Sequence, residues 1–338
     1  MTKKVILSDV AAYSGVSRAT ISRVLNNNPQ VAPELRARVL EAVQALGYQP
    51  NRAARRLRSD SSDILGLIIP DIENPFYISA IRGIQDLASE HQMSLLLCNA
   101  DEDPAKQQMY LSVMEAELVA GLIIAPTHAH DGEVLKKFSQ SDIPVILIDR
   151  RVDCQDFDAV TVDNVGGAYA AVRHLIDHGY TRIAMIGGSP ILSISRERLQ
   201  GYKEAYAQAG IKMEKTLIKE GGFNAESGYQ LTRELLLSSR RPHAIFAANN
   251  LITLGVLKAI RELDLAIPDD IAVVAFDDMP WFSELRPPLT AVSQPTYELG
   301  QEAVRLLLKR LDEPEAPFRN VVLQTRLMVR KSCGEKSG

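Results

Sequence analysis

The chain has 338 residues, of which 46% are hydrophobic and 24% charged, a balance typical of a globular protein with two or three compact units. No apolar stretch is long enough to cross a bilayer, and the first residues lack the apolar core of an export signal. Three cysteines, Cys98, Cys154 and Cys333, show no metal-ligand spacing. These features argue against a membrane protein or a disulfide scaffold and predict a reduced, cytoplasmic protein without membrane contact.

The net charge of −4 is distributed unevenly along the chain. Residues 1–60 carry ten basic and four acidic side chains, a balance of +6, which leaves −10 for the rest. A cationic segment on an anionic body indicates that only the amino-terminal part meets a polyanion. Charge alone is equally consistent with a solvated surface. The motifs within this segment must therefore distinguish nucleic-acid binding from a merely solvated surface.

The first predicted elements are short helices within residues 1–50. A helical pattern that ends at Ser14 is followed by the turn residue Gly15. Ser17 is then a good N-cap for a second helix that runs to about Leu25. A third helix should begin at Pro33, which suits a first helical position, and should end at a glycine fourteen residues later.

The second helix has one apolar and one polar side. Ile21, Val24 and Leu25 stand at i, i+3 and i+4 and form a buried stripe. The opposite side carries Arg18, Ala19, Ser22 and Arg23. Two short helices with a tight turn, the second basic and polar, match a helix-turn-helix, although small helical bundles with exposed arginines are a common alternative.

The residue pattern of this segment makes the interpretation more specific. It comprises Ser8-Asp9-Val10-Ala11, Gly15-Val16-Ser17 and Thr20-Ile21-Ser22-Arg23-Val24-Leu25-Asn26. This long ungapped pattern resembles the DNA-binding head of the lactose-repressor (LacI/GalR) family. The resemblance implies that Arg18, Ala19 and Arg23 face base edges in the major groove of a double-stranded palindromic operator. The residues implied to hold mostly phosphates are Ser17, Thr20, Ser22 and Asn26.

Two positions depart from the family pattern. Ile6 stands where the family usually has Thr, and Ala32 where it usually has Ser. We therefore expect two helix caps or phosphate contacts to be missing, and each missing cap could cost about 1 kcal/mol.

Residues 51–60 are short and basic and are predicted to form a hinge helix that Asn51 could cap. So short a helix is marginal alone, and a solvated linker is the alternative. The family resemblance implies that the segment folds when two copies meet in the minor groove at the operator centre. Leu57 would then be a wedge between base pairs, and Asn51, Ala54 and Arg58 are the other implied DNA contacts.

From residue 61 the pattern changes to short apolar strands that alternate with amphipathic helices. Strands are predicted at 64–69, 93–98, 121–124 and 145–148, and in a second set at 182–186, 244–247 and 271–276. Such strands predict two parallel doubly wound sheets, and so an α/β domain of two lobes over 61–338. We expect lobe 1 to hold about 61–162 and 293–320, and lobe 2 about 163–292 and 321–333.

A ligand is expected outside the carboxyl ends of the strands, in the cleft between the lobes. Polar residues follow several strands there, although each one singly could merely cap a helix or pair with a neighbour. Residues 61–333 as a whole resemble the effector domain of the same family, which is related to periplasmic sugar-binding proteins. The resemblance implies an effector site made of Asn74, Phe76, Tyr77, Asp149, Arg150, Arg198, Phe223, Asn249, Asp277 and Gln294.

The side chains of this set suit a sugar. Charged and amide groups bind hydroxyls, and the faces of Phe76 and Phe223 can pack against the C–H faces of a ring. A purine is less expected, because Leu192 and Ile194 stand where purine-sensing relatives have polar groups. The two arginines leave a sugar, a sugar acid and a sugar phosphate all open.

The resulting interpretation is a sequence-specific transcription regulator of repressor type, a homodimer whose operator affinity a small sugar-like effector modulates. Whether the effector induces or corepresses is open. A dimer is expected because the head is too small to bind tightly alone. No leucine-heptad tail of the kind that builds tetramers follows Arg330. The alternatives are a sugar-binding module of transport type and a sugar-modifying enzyme.

No cofactor, metal site or catalytic residue is expected. Gly187-Gly188-Ser189 lacks both the Walker A lysine and the spacing of a dinucleotide fingerprint. His128 and His130 are interpreted as part of a solvated loop, since no further ligand stands at metal-binding spacing.

Overall fold

The structure is a computed structural model that describes residues 5–25, 28–48, 62–154 and 156–334. The chain divides into two compact units, Met1–Ser62 and Asp63–Gly338. The predictions for the hinge and for one residue of the head concern Asn26, Asn51, Ala54, Leu57 and Arg58, which lie outside the described residues.

The first unit contains the three predicted helices, α1 (Leu7–Ser14), α2 (Arg18–Leu25) and α3 (Pro33–Leu46). Their shared core is formed by Val10, Val16, Ile21, Val24, Val39 and Ala42. Gly15 ends α1 with a φ of 62°, in the left-handed region where an L side chain is strained. This glycine therefore allows the tight turn into α2, and the helical prediction for the head is confirmed.

Neither N-cap predicted to be deficient makes a side-chain capping bond. At α1, the side chain of Asp9 compensates in part, because its Oδ2 accepts a 2.8 Å hydrogen bond from the backbone N–H of Ile6. At α3, the side chain of Ala32 offers no acceptor for an amide of the first turn. Pro33 at the first helical position removes one amide that would need a partner. The start of α3 is thus the less well capped of the two.

The second unit contains two six-stranded sheets. The first is made of β1 (Ile64–Ile69), β2 (Ser94–Asn99), β3 (Gly121–Ile124), β4 (Val145–Ile148), β5 (Asp158–Val162) and β11 (Asn320–Leu323). All its strands are parallel, in the order β2-β1-β3-β4-β5-β11. The second is made of β6 (Ile183–Gly187), β7 (Ile218–Glu220), β8 (Ala244–Ala247), β9 (Ala272–Phe276), β10 (Thr290–Ser293) and β12 (Arg326–Met328). Its order is β7-β6-β8-β9-β10-β12, and only β12 runs antiparallel.

Helices cover both faces of each sheet. The first sheet lies between α4 (Pro75–Glu90) with α11 (Thr296–Asp312) and α5 (Pro104–Ala116) with α6 (Gly132–Ser139). The second lies between α7 (Asn164–Asp177) with α8 (Ser193–Ala209) and α9 (Ala225–Leu236) with α10 (Asn250–Glu262). Single-turn 3-10 helices lie at Ala129–Asp131, Lys215–Leu217 and Pro280–Glu284. Burial on both faces explains the near-continuous apolar strands.

Each sheet with its helices forms one lobe, called here the first and the second lobe. The chain passes between them after β5, after β10 and between β11 and β12. The expected lobe boundary at residue 320 is early, because β11 pairs with β5 in the first sheet as far as Leu323. This strand lies at the edge of the sheet and alternates exposed and half-buried residues, whereas the central strands are buried.

We predict that Ala32→Ser stabilises the start of α3, because a serine hydroxyl can accept a hydrogen bond from an amide of the first turn. The expected gain is about 1 kcal/mol, or about fivefold slower hydrogen exchange of α3 amides in the full chain. Ala37→Ser, at an exposed position inside the same helix, is the matched control and should speed exchange slightly. Equal behaviour of the two variants would contradict the capping argument.

Candidate functional site

The polar side of α2 is exposed in the first unit. Ile21 and Val24 face the core, whereas Arg18, Ala19 and Arg23 are exposed. This arrangement matches the predicted recognition surface, because exposed arginines can reach a base edge or a phosphate. Ser17 and Thr20 at the helix start contact each other: the Ser17 Oγ accepts a 3.2 Å hydrogen bond from the Thr20 N–H. Ser17 therefore caps α2, as predicted.

A pocket lies between the two lobes of the second unit, with about 270 Å³ of space that includes a part open to solvent. Its lining residues are Asn74, Phe76, Tyr77, Asp149, Arg150, Ile194, Arg198, Phe223, Asn249, Asp277 and Gln294. Ten of these are the residues that sequence reasoning assigned to an effector, and the fold brings all ten together. Ile194, considered at the sequence level only as a departure from purine sensors, is the eleventh.

The carboxyl ends of parallel strands position the polar groups of the pocket. Asn74 follows β1 and caps α4, where its Oδ1 accepts a 3.0 Å bond from the Phe76 N–H. Asn249 follows β8 and caps α10 through a 2.7 Å bond from the Ile252 N–H. The strands of a parallel sheet end at the same edge, so side chains distant in sequence meet there.

The two pocket carboxylates share an uncommon backbone. Asp149 directly follows β4 with a φ of 62°, and Asp277 directly follows β9 with a φ of 71°. Aspartate is one of the few residues besides glycine that tolerate this left-handed region, and strained residues of this kind cluster at ligand clamps. The matched geometry on the two lobes indicates a site that holds a ligand from both sides.

Asp149 is held by two neighbours from the first lobe. The Tyr77 hydroxyl donates a 2.8 Å hydrogen bond to its Oδ2, and the Arg150 Nε lies 3.6 Å from the same oxygen. Burial raises the pKa of Asp149, against the opposing effects of Arg150 and of the tyrosine hydrogen bond. Burial also raises the pKa of Tyr77 well above its ordinary value, so its hydroxyl stays a donor.

Asp277 is the corresponding group of the second lobe. Its Oδ2 accepts a 3.2 Å bond from the Asn250 N–H, and its Oδ1 accepts a hydrogen bond from the Gln294 Nε2. The Arg198 Nη2 lies 4.0 Å from Oδ1. Burial raises the pKa of Asp277, although these three partners act against the shift.

Arg198 is buried and almost fully engaged by the protein. Its Nε donates to the Asn164 Oδ1 at 2.8 Å, and its Nη1 donates to the Ala248 carbonyl at 2.6 Å. The guanidinium carbon lies 3.8 Å from the centre of the Phe276 ring, a cation–π contact. These contacts, all with residues of the second lobe, hold the Arg198 side chain in one orientation.

The terminal nitrogens of Arg150 bind Glu102, which is not among the residues that line the pocket. The two terminal nitrogens donate to the carboxylate of Glu102, at 2.7 Å for Nη1 and 2.5 Å for Nη2. This bidentate pair is the strongest geometry that an arginine and a carboxylate can form.

Direct contacts cross the cleft between the lobes. The Asn250 Nδ2 donates to the Asn74 Oδ1 at 2.8 Å. At the rim, Arg151 pairs with Glu197 at 2.5 Å, and the Arg196 Nη2 lies 3.0 Å from an Asp153 oxygen. Any change in the angle between the lobes must lengthen or break such bonds.

Phe223, in the loop between β7 and α9, lines the pocket from the second lobe. An added Cβ at Gly188 would lie 2.3 Å from atoms of the Phe223 ring. Gly188, directly after β6, therefore allows the close approach of this aromatic ring.

Metal ligands and membrane-spanning helices were the remaining features to compare with the sequence. The His130 Nδ1 lies 2.9 Å from an Asp153 oxygen at the exposed rim, and within the described ranges no three His, Cys, Asp or Glu residues gather as metal ligands. No helix among the residues with assigned structure is both long and apolar enough to cross a membrane.

Sequence reasoning missed three residues that bind the pocket side chains, Glu102, Asn164 and Asn250. Asn250 adjoins a predicted residue, and Glu102 follows the end of β2 by three positions. The rule that residues after parallel strands matter could therefore have found both. Nothing in the sequence indicates that Asn164 contacts Arg198.

The chain is similar to known proteins over nearly all its length. Residues 6–51 match the family described as bacterial regulatory proteins, lacI family, and residues 172–333 match the periplasmic binding protein-like domain. Catabolite control protein A of Priestia megaterium is 35% identical over 97% of this chain and 99% of its own. The ribose operon repressor of Halalkalibacterium halodurans is 34% identical, over 98% of each. The lac repressor dimer bound to operator and the anti-inducer ONPF aligns with a TM-score of 0.88 and 28% identity, over 98% of this chain and 100% of that one.

We predict that Asp149→Asn raises stability at neutral pH by ~1 kcal/mol, a size common when a strained functional site is relaxed. The folded-state pKa of Asp149 lies above its unfolded value, so its charge costs stability above that pKa. The cost disappears as the pH falls through the folded pKa, and the advantage of the variant should shrink with it. Urea unfolding at neutral and mildly acidic pH measures both effects.

Asp71→Asn is the control, since an amide oxygen can still accept the 2.8 Å bond from the Glu73 N–H, and it should leave stability unchanged. A pH-independent gain from Asp149→Asn would contradict the burial argument.

Proposed function

Because this chain belongs to the LacI family of bacterial regulatory proteins, and is therefore a sequence-specific DNA-binding transcription regulator and not an enzyme, we propose that a sugar bound between its two lobes modulates its operator affinity. The regulators that it resembles match the head as well as the lobes. This favours a gene-regulatory role over a sugar-binding module of transport type.

The observation that carries the sugar proposal is the composition of the pocket. Asp149 and Asp277 offer acceptors, Arg150 and Arg198 offer donors, and Gln294 offers both. Hydroxyl groups donate and accept at once, so a polyol can satisfy such a mixed set. The rings of Phe76 and Phe223 supply the apolar surface against which the C–H face of a sugar packs.

A single sugar ring is the size of effector that we favour. Among the relatives, the ribose operon repressor is named for a single-ring sugar.

For the head, we infer that α2 enters the major groove. Arg18, Ala19 and Arg23 then meet base edges, and an arginine bound to guanine through two hydrogen bonds contributes about 1–3 kcal/mol of discrimination. The proposed phosphate contacts are Ser17, Thr20, Ser22 and Asn26. The proposed minor-groove contacts of the hinge are Asn51, Ala54, Leu57 and Arg58.

We infer that two copies act together, because one small head has too little surface for tight specific binding and a dimer reads a palindrome. Sugar binding changes the angle between the lobes, and with it the spacing of the two hinge segments. A ligand can shift such an equilibrium only by its different affinity for the two shapes, typically about 1–3 kcal/mol.

Arg23→Ala tests base reading by α2. It should weaken binding to the operator about tenfold more than binding to unrelated DNA of equal length, because a lost base contact affects only the specific complex. Arg173→Ala removes the same charge from a partly exposed position on α7 and should leave both affinities unchanged. Fluorescence anisotropy at fixed salt gives the six dissociation constants, for the wild type and the two variants on each DNA. Equal loss on both DNAs would refute the base contact.

Phe223→Ala tests the sugar site. A thermal-shift panel of pentoses and hexoses should identify a sugar that stabilises the wild type, by ~2.7 kcal/mol at a hundredfold excess over the dissociation constant. The variant should bind that sugar at least about tenfold more weakly, because the ring face loses its apolar partner. Operator affinity without sugar should not change.

Phe318→Ala removes an equally large but exposed ring and is the control. If no sugar shifts the wild type, or if both variants bind it equally, the pocket is not the sensor.

A further inference from the structure

The first observation concerns which parts of the two pocket arginines are still available. Glu102 occupies the end of the Arg150 guanidinium, and the remaining edge at Nε lies next to Asp149. In Arg198, Nε and Nη1 donate to Asn164 and to the Ala248 carbonyl, and Nη2 lies 4.0 Å from the Asp277 Oδ1, beyond hydrogen-bond distance. Carboxylates and phosphates are recognised by a guanidinium that presents two parallel N–H groups. Among the described residues, Glu102 thus leaves Arg150 no free pair of terminal N–H groups, and the Arg198 Nη2 lies beside a carboxylate that would repel an anion.

The second observation concerns how firmly Glu102 is placed. Asp101 and Glu102 both have left-handed backbones, with φ of 52° and 54°. The Glu102 N–H donates to the Pro70 carbonyl at 2.7 Å, which ties this turn to the end of β1. Left-handed residues other than glycine are strained, so surrounding bonds must hold such a turn in place. The turn delivers the Glu102 carboxylate to the end of Arg150.

The third observation is the balance of charge. Two arginines and two carboxylates line the pocket, and Glu102 adds a third carboxylate on Arg150, which makes the set negative by one. A bound anion would lie close to Asp149 and Asp277 in a buried site, where repulsion between like charges is poorly screened. The charge of the site therefore disfavours a carboxylate or phosphate on the ligand.

The fourth observation is the polar atoms that lack a partner. The Gln294 Oε1 and the Arg150 Nε are buried, and neither forms a hydrogen bond with another described residue. One is an acceptor and the other a single donor, and both belong to residues that line the pocket. A hydroxyl group can satisfy either atom, whereas an anion can satisfy only the donor.

We propose that Glu102 is a positioning residue for effector selectivity, which by occupying the end of Arg150 makes the pocket accept an uncharged sugar and reject sugar acids and sugar phosphates. The proposal rests on the proposed function, since it narrows the class of sugar that this same pocket binds. Glu102 acts through Arg150 and need not touch the ligand.

The test compares ligands that differ mainly in charge. Isothermal titration of the full chain uses D-ribose with D-ribose 5-phosphate, D-galactose with D-galacturonate, and D-glucose with D-glucuronate, with D-glucuronamide as the uncharged match of glucuronate. For the best-bound pair, the wild type should prefer the uncharged member by at least about tenfold. Glu102→Gln, which removes the carboxylate charge from the terminal nitrogens of Arg150, should lower that preference by about tenfold.

Two further variants separate charge selection from structure. Glu102→Asp retains the carboxylate and should keep a preference for the uncharged sugar. Glu214→Gln breaks an arginine pair elsewhere in the second lobe and should leave the preference unchanged. The preference is a ratio measured within one protein, so a lower melting temperature of a variant does not alter it.

The outcomes are distinguishable. Charged sugars that bind the wild type as tightly as uncharged ones overturn the selectivity but leave sugar sensing intact. An unchanged preference in Glu102→Gln overturns the role of Glu102. Failure of every sugar of both classes to bind overturns the proposed effector together with this inference.

Discussion

The burial of opposite charges at the ends of parallel strands is the constraint on which the second unit depends. Asp149 and Asp277 are 4% exposed, and Arg150 and Arg198 are 3% and 2% exposed. Charges so far from water are tolerated only when paired and hydrogen-bonded, which is why hydroxyl, amide and backbone groups surround them. The arrangement stabilises the fold little, and its value lies in fixing the direction of each donor and acceptor toward the cleft.

The same constraint links binding to a change in shape. The pocket groups belong to two lobes, and the bond between Asn74 and Asn250 crosses the cleft directly. Around it lie the rim ion pairs of Arg151 with Glu197 and of Arg196 with Asp153, whose partly exposed side chains contribute modestly. A ligand that bridges both lobes adds to these contacts only in one range of angles. The pocket is therefore suited to convert ligand binding into a difference between lobe positions.

The elements of the head depend mainly on residues that are close together in the sequence. Gly15 ends one helix, Ser17 caps the next, and a stripe of apolar residues at helical spacing closes the core. Each helix end and each apolar stripe involves residues within one turn of each other, so the sequence itself indicates them. The absence of capping side chains at Ile6 and Ala32 was legible for the same reason.

The sequence alone determined the helices of the head, seven of the strands (β1 to β4, β6, β8 and β9) and, through family resemblance, ten of the eleven residues that line the pocket. These features depend on hydrophobic periodicity or on residue types at fixed spacings. Tertiary structure decided the strands β5, β7, β10, β11 and β12, the contact of Asn164 with Arg198 and the bidentate contact of Glu102 with Arg150. β11 pairs with β5, which is far away in the sequence, and Glu102 meets Arg150 only because β2 and β4 end at one edge of the same folded sheet.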